Sequence, residues 1–417
     1  MATLFSPAKD GGVPTLVLDG GMGTTLQSYP VAQALDSNLW SSELLKTANG
    51  RDTLRHLHSQ WIDAGADVVQ TCTYQSSLPL FLPETGPYPS NLLDDALVLM
   101  NSALPLLTSL PPNESQQRPL AALSLGPFGA SLQPGQEYAG LYPPPFGPTP
   151  SISPSRISSG QAALDAVPLP LEPFVASTAT ATPEDHLAAW HLLRLRHFSA
   201  SPEFAKLAVL CFETVPNLSE ARAIRRAVTA FRRAGGAAVP FFLSYVFPLV
   251  DTDTASERVR LPDVEYQHCH SLGEQAPAVI EATFGRLATT RDGQKEATVA
   301  DGIGFNCTSP LHSRDVTRVL TDAYSTFVAT RPASPATRPF FVLYPDGGAV
   351  YDVKTRTWSH PLGLTDEKWA DLVVDAMDVA RSGGAKVWGG VIGGGCCKAG
   401  VGAIAALRRA VEARGWR

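Results

Sequence analysis

Cys396 and Cys397 stand side by side at the end of a glycine-rich stretch, VWGGVIGGGCCKAG, and Cys307 closes a similar one, DGIGFNC. Three thiolates brought together suit a soft or borderline metal, zinc above all. Three protein ligands leave one tetrahedral position open, the arrangement of a catalytic rather than a structural site. The alternative is three buried, inert cysteines, because free Cys is among the most buried residue types. Spacing alone does not decide between the two, since Cys307 lies far from the pair and no zinc-finger pattern is present. The glycines bear on the question. Consecutive side chains of a strand point to opposite faces, so Cys396 and Cys397 cannot both face one ion from an extended chain. Gly393, Gly394 and Gly395 allow the backbone to leave the strand and turn both sulfurs inward.

The elements that must position these residues are short apolar runs alternating with helical stretches. The runs are TLVLDGG (15–21), ADVVQTCTY (66–74), LAALSLGP (120–127), KLAVLCFET (206–214), PFFLSYVF (240–247), ADGIGFNC (300–307), PFFVLYPD (339–346) and AKVWGGVIGG (385–394). They are almost continuously hydrophobic, as expected of parallel strands covered on both faces. Strand and helix alternating through the chain predict an α/β fold, a (β/α)8 TIM-type barrel with long loop insertions. No linker divides the sequence, so residues 1–417 read as a single domain. The segment 141–183, rich in Pro, Ser, Ala and Thr, reads as a mobile insertion after the third strand, unable to form a helix or a central strand. Segments 248–275 and 346–364 read as extended loops after the fifth and seventh strands.

In such a barrel the active site is built at the C-terminal ends of the strands. Asp19 closes the first run, and Thr71, Thr73 and Gln75 close the second. Glu213 closes the fourth, Asn306 and Cys307 the sixth, Cys396 and Cys397 the last. Scattered core cysteines have no reason to share strand ends with carboxylates, which favours the metal-site reading.

Composition narrows the classes. With 44% hydrophobic residues among 417 and a formal net charge of −6, the chain can bury a large core and shows no basic patch for nucleic acid or an anionic membrane. The opening MATLFSPAKDGG lacks a basic region followed by an apolar run, so no secretory signal is expected, and no run is long enough to span a membrane. A cytoplasmic, reducing setting follows, in which clustered cysteines read as metal or redox groups. His268, Cys269 and His270 lack a matching partner for a second metal, and Cys72 and Cys211 read as core. His58 and His191 lie on helical stretches, with surface or packing roles. The DGG and GGG runs fit neither G-x-G-x-x-G nor a P-loop.

Seven stretches together resemble the homocysteine S-methyltransferase family: LDGGMGTTL (18–26), GADVVQTCTYQSS (65–77), LGPFGASLQPGQEYAG (125–140), FETVPNLSEA (212–221), GFNC (304–307), YPDGG (344–348) and GGGCCK (393–398). The resemblance implies Zn2+ held by Cys307, Cys396 and Cys397, homocysteine as methyl acceptor, and a cationic sulfonium as donor. It gives Asp19 and Glu213 as acceptors for the substrate ammonium, helped by Thr71 and by backbone amides around Gly20 and Gly21. Asn306 would orient its loop or touch the substrate carboxylate, and Tyr138 would line the donor pocket or serve packing. The TYQ run (73–75) looks more like users of S-methylmethionine and S-adenosylmethionine than of betaine. Two departures stand out: YPDGG, in a donor-side loop where relatives often carry Asn and Ser, and Lys398, after the cysteine pair, where many have Arg. There is no room for cobalamin or folate modules. Two other readings stand beside this one: a methyltransferase acting on selenocysteine or another small thiol, and a non-enzymatic barrel in which the vicinal Cys396 and Cys397 sense zinc or oxidants. The oligomeric state stays open, a homo-oligomer included.

Overall fold

Eight apolar strands, all parallel, build the centre of the molecule: β1 (Thr15–Val17), β2 (Val68–Gln70), β3 (Leu120–Leu125), β4 (Val209–Val215), β5 (Phe241–Tyr245), β8 (Gly302–Asn306), β9 (Phe340–Tyr344) and β12 (Val391–Gly393). Their order around the sheet is β1-β12-β9-β8-β5-β4-β3-β2. A parallel bridge between Leu18 and Val68 brings β1 back to β2 and closes the ring. The expected (β/α)8 barrel is therefore formed. The computed structural model describes residues 4–5, 12–83, 86–112, 118–133, 135–149, 166–251, 258–287, 297–331, 338–352, 357–359, 362–383 and 387–416.

Two layers of core follow from the strand period. Alternate residues face the barrel axis, where Leu16, Leu18, Val68, Ala122, Val209, Cys211, Phe242, Phe340, Val342, Tyr344 and Ile392 pack into one cluster. The other face is covered by helices: α1 (Met22–Leu26), α2 (Ala48–Asp63), α3 (Ser90–Asn101), α4 (Ala103–Thr108), α5 (Pro183–Ser199), α6 (Leu218–Arg233), α7 (Leu272–Phe284), α8 (Ser313–Ala329), α9 (Asp366–Ser382) and α10 (Val401–Ala413). Several starts are legible. Asn217 caps α6 by accepting from the Glu220 N–H at 2.8 Å, and Thr182 with Asp185 forms a capping box at α5. Among the described residues no helix is long and apolar enough to cross a membrane.

The long loops are more ordered than their composition suggests. After β5 the chain makes a two-stranded antiparallel ladder, β6 (Leu249–Asp251) with β7 (Arg258–Val259), and after β9 another, β10 (Val350–Asp352) with β11 (Thr357–Ser359). Of the proline-rich insertion 141–183, residues 150–165 lie outside the described residues. The flanking parts are anchored: Phe146 stacks on Phe128 at 3.9 Å between ring centroids, and Phe174 is buried beneath Arg226. Aromatics too sparse to make a periodic pattern are enough to pin a loop.

Candidate metal centre and substrate pocket

The three cysteines converge. Beyond β12 the chain is tied to neighbouring strand ends by Gly394 N–H to Leu343 O (2.9 Å), Gly395 N–H to Asp19 O (3.0 Å) and Cys396 N–H to Pro345 O (2.8 Å). This turn carries the Cys396 and Cys397 side chains to the same place as that of Cys307, whose backbone is left-handed at φ 49°. The three Sγ atoms lie within 4.8 Å of one another. Cys307 and Cys396, with Cα atoms 5.5 Å apart, are joined by a disulfide. Reduced, the trio offers three soft donors to one ion, and the surroundings call for a cation. The Cys397 thiol is pushed up to about 12, first by burial and then by the negative charge of Asp346 and Glu137. The donor set fits zinc. Among the described residues no other group of three His, Cys, Asp or Glu side chains gathers ligand atoms this closely.

Glycines make the close approach that this turn needs. A Cβ on Gly21 would lie 2.4 Å from the carbonyl oxygen of Cys396, and one on Gly20 2.4 Å from that of Ala399. The Gly21 N–H is spent on Ala399 O at 3.0 Å, so this residue brings two loops together rather than offering a free amide.

The inward positions of the strands end in a polar ring. Running up the barrel, Val68 is followed by Gln70, Ala122 by Ser124, Cys211 by Glu213, Phe242 by Ser244 and Val342 by Tyr344, while Asn306 ends β8. Asp19 and Glu213 are both buried among these groups, and neither is in an ion pair among the described residues. One Asp19 oxygen accepts from the Gln70 N–H at 2.8 Å; the other, Oδ1, is buried without a partner. Burial holds the Asp19 carboxyl well above the usual range, opposed by the Gln70 hydrogen bond and reinforced by Glu213. Burial also raises Glu213, whose Oε1 accepts from the Ser124 hydroxyl. Two buried carboxyls, with no cation bonded to either and only the more distant charge of Arg194 acting on Glu213, make a receptor for a cation.

Other expected contacts are committed to the scaffold. Thr71 Oγ1 accepts from the Ser124 N–H at 3.0 Å and meets Thr73 Oγ1 at 2.6 Å, while Thr73 donates to Ser124 O at 2.8 Å. Gln75 reaches Ala130 O at 3.4 Å. Asn306 Oδ1 accepts from the Thr214 N–H and the Ser244 hydroxyl at 2.8 and 2.7 Å, and its amide donates to Thr214 Oγ1 at 2.7 Å. That grip sustains the left-handed Thr214, φ 57°, directly after Glu213. Among the described residues, the non-glycine residues with positive φ are Trp40, Thr214, Cys307 and Lys398. Three line the cavity and Lys398 follows Cys397, so the strain of about 1–3 kcal/mol each is concentrated at this site.

Several cavity residues carried no separate signal. Tyr74, Tyr138, Trp40 and Trp358 bring aromatic rings to the walls, with Glu137 between them. Burial pushes Glu137 up to about 7, and its Oε2 has no hydrogen-bond partner. Tyr138, singled out in the sequence, does line the cavity, whereas Glu137 beside it was visible only as part of a longer motif. His191, expected in a surface or packing role, is fully buried and bonds Glu220 at 3.0 Å. The same carboxylate accepts from the Phe128 N–H at 2.6 Å and from the Tyr142 hydroxyl, anchoring the loop that carries Glu137.

The homocysteine S-methyltransferase family matches residues 16–411. The chain belongs to this family. It is therefore a methyltransferase enzyme. Homocysteine S-methyltransferase 1 of Brassica oleracea var. italica is 25% identical over 405 residues, covering 95% of this chain and 94% of that protein. The betaine-homocysteine S-methyltransferase of Drosophila melanogaster is also 25% identical, over 403 residues, covering 96% and 95%. Among solved structures, the metallated form of the homocysteine methyltransferase MmuM from Escherichia coli shares the fold, with a TM-score of 0.55 at 21% identity over 95% of this chain and 96% of that one. Equal likeness to relatives named with and without betaine leaves the donor to be read from the pocket.

Proposed function

We propose that this methyltransferase moves a methyl group from a sulfonium donor, S-methylmethionine or S-adenosylmethionine, to the thiol of L-homocysteine, giving methionine, with zinc held by Cys307, Cys396 and Cys397. The observation that carries this reading is one cavity lined by three convergent sulfurs and by two buried carboxylates, one with an unpartnered oxygen. When bound, zinc keeps the acceptor sulfur deprotonated at neutral pH, where a free thiol is mostly protonated.

The remaining work falls to the chain. Asp19 and Glu213 take the ammonium of homocysteine and so set the direction of its sulfur. Tyr74, Tyr138 and Trp40 bring aromatic rings to the walls for the donor cation, which Glu137 attracts when ionised. In the transfer itself the acceptor sulfur forms a bond to the methyl carbon as the donor's S–C bond breaks. The bonding pair stays on the donor sulfur, which becomes a neutral thioether, and the acceptor proton passes to solvent. Holding both partners in line supplies much of the rate. The sensor reading is disfavoured by the two carboxylates Asp19 and Glu213 in the same cavity, which a sensor would not require.

The test is methionine formation by reduced, zinc-loaded protein offered S-methylmethionine, S-adenosylmethionine and betaine in parallel. Turnover with a sulfonium and not with betaine is expected. Turnover with betaine alone would overturn the donor assignment, and no turnover on homocysteine with any of the three would overturn the acceptor.

A further inference from the structure

A guanidinium lies buried behind the pocket wall with no carboxylate hydrogen-bonded to it, the charges of Glu220 and Glu213 acting on it only from a distance. Arg194, on α5, is 2% exposed and makes no ion pair among the described residues. It donates from Nε to Ser76 O at 2.9 Å, from Nη1 to Gly126 O at 2.7 Å and from Nη2 to Tyr74 O at 3.1 Å. Its flat face lies over the Trp190 ring, 4.5 Å from the centroid. Burying an unpaired charge is costly, and an apolar side chain would pack there without that cost. What the guanidinium adds is a rigid fork of donors, here spread over the loops that follow β2 and β3.

Gly126 completes the arrangement. Its N–H also bonds Tyr74 O, at 2.9 Å, so one carbonyl is held from two sides. A Cβ on Gly126 would stand 2.7 Å from that oxygen and 2.8 Å from the Tyr74 ring. The ring is thus seated on a residue with no side chain, beside a backbone carbonyl held by two donors. Tyr74 lines the cavity near Tyr138 and Glu137. Asp19 and Glu213 hang from β1 and β4 and take no hydrogen bond from Arg194.

We infer that Arg194 is a positioning residue for the methyl donor: it fixes the backbone of the Tyr74–Ser76 turn and thereby the Tyr74 ring against which the donor cation lies. This rests on the methyl-transfer reading above. Lysine's three donors radiate from one nitrogen on a flexible stem and cannot reproduce the planar fork that spans Ser76, Gly126 and Tyr74. Arg194→Lys keeps the positive charge that acts on Glu213, so loosening the turn in this way displaces the donor while leaving the homocysteine contacts in place.

The experiment is steady-state kinetics of the reduced, zinc-loaded enzyme with its working sulfonium, comparing the parent, Arg194→Lys, Tyr74→Leu and the double variant. Thermal melts and zinc content accompany each as checks on folding. Arg194→Lys is expected to lower kcat/KM for the donor between about tenfold and a hundredfold, the range for a reactant misplaced by a fraction of an ångström to an ångström. The homocysteine KM should stay within about twofold. In the Tyr74→Leu background the same change should cost less than about twofold, because groups acting through one another are not additive. Equal losses toward both substrates, full additivity, or an unaffected Arg194→Lys enzyme would each overturn the inference. Should the Arg194 variant not fold, Gly126→Ala disturbs the same clamp from its other side and must show the same donor-selective loss; an unchanged donor KM there overturns it too. A parent enzyme making no methionine is the failure of the underlying functional reading, and is separately visible.

Discussion

Asp19 and Glu213 are held above the ordinary carboxyl range by burial, so each binds its proton more tightly in the folded chain than in the unfolded one. Native stability then falls as pH rises from the usual carboxyl value, 3.8 for Asp19, through the raised one. Asp19→Asn removes that cost, so its melting temperature without ligand should gain on the parent's as pH increases across this window. The same variant should lose homocysteine affinity by roughly tenfold or more, since a hydrogen bond to a charged group is worth about 1.5–3 kcal/mol. A variant that melts no higher and binds no worse contradicts a role as ammonium acceptor. Glu137 makes a different prediction. Its carboxyl sits at about 7, protonated below and charged above, so the KM for a cationic donor should fall as pH rises through neutrality. Glu137→Gln should flatten that dependence in a pH series of donor KM. At this scale the sequence displayed the cysteines and the two strand-end carboxylates, because their types are unusual at such places. It hid Arg194, whose partners are backbone carbonyls that any residue supplies.

Strands and glycines set the positions of those side chains. The barrel strands were readable because near-continuous apolar runs mean strands buried on both faces, and their C-terminal ends marked the site. The ladders at Leu249–Val259 and Val350–Ser359 were not, since two- and three-residue strands are too short to show a period. Nor did the sequence say why Gly20 and Gly21 are glycines. The close passage of the Cys396–Ala399 turn demands it at both positions, and at Gly21 the amide is also spent on Ala399 O. Gly21→Ala should therefore cost about 1–3 kcal/mol, as overpacking does, and should lower zinc content by displacing Cys396. Denaturant unfolding and metal analysis would read the two effects together. Unchanged stability and zinc would mean that the turn has slack which the 2.4 Å approach denies.

Across the whole molecule, closure between β1 and β12 brings residues from opposite ends of the chain into one site, with Lys398 N–H bonded to Thr24 Oγ1 at 2.8 Å. A ligand bound there by both ends should stabilise the whole barrel. Zinc at a thousandfold excess over its Kd contributes about 4 kcal/mol, so chelation of the reduced protein should lower its melting temperature by several degrees. Oxidised protein, with Cys307 and Cys396 bonded together, should show no such response to chelator. The most direct test of the account is X-ray absorption at the zinc edge of the reduced, zinc-loaded enzyme, recorded before and after homocysteine is added. Three sulfur neighbours becoming four on addition is the predicted result. Four sulfurs already present without homocysteine, or a sulfur count that homocysteine leaves unchanged, would contradict an open position for the acceptor thiol.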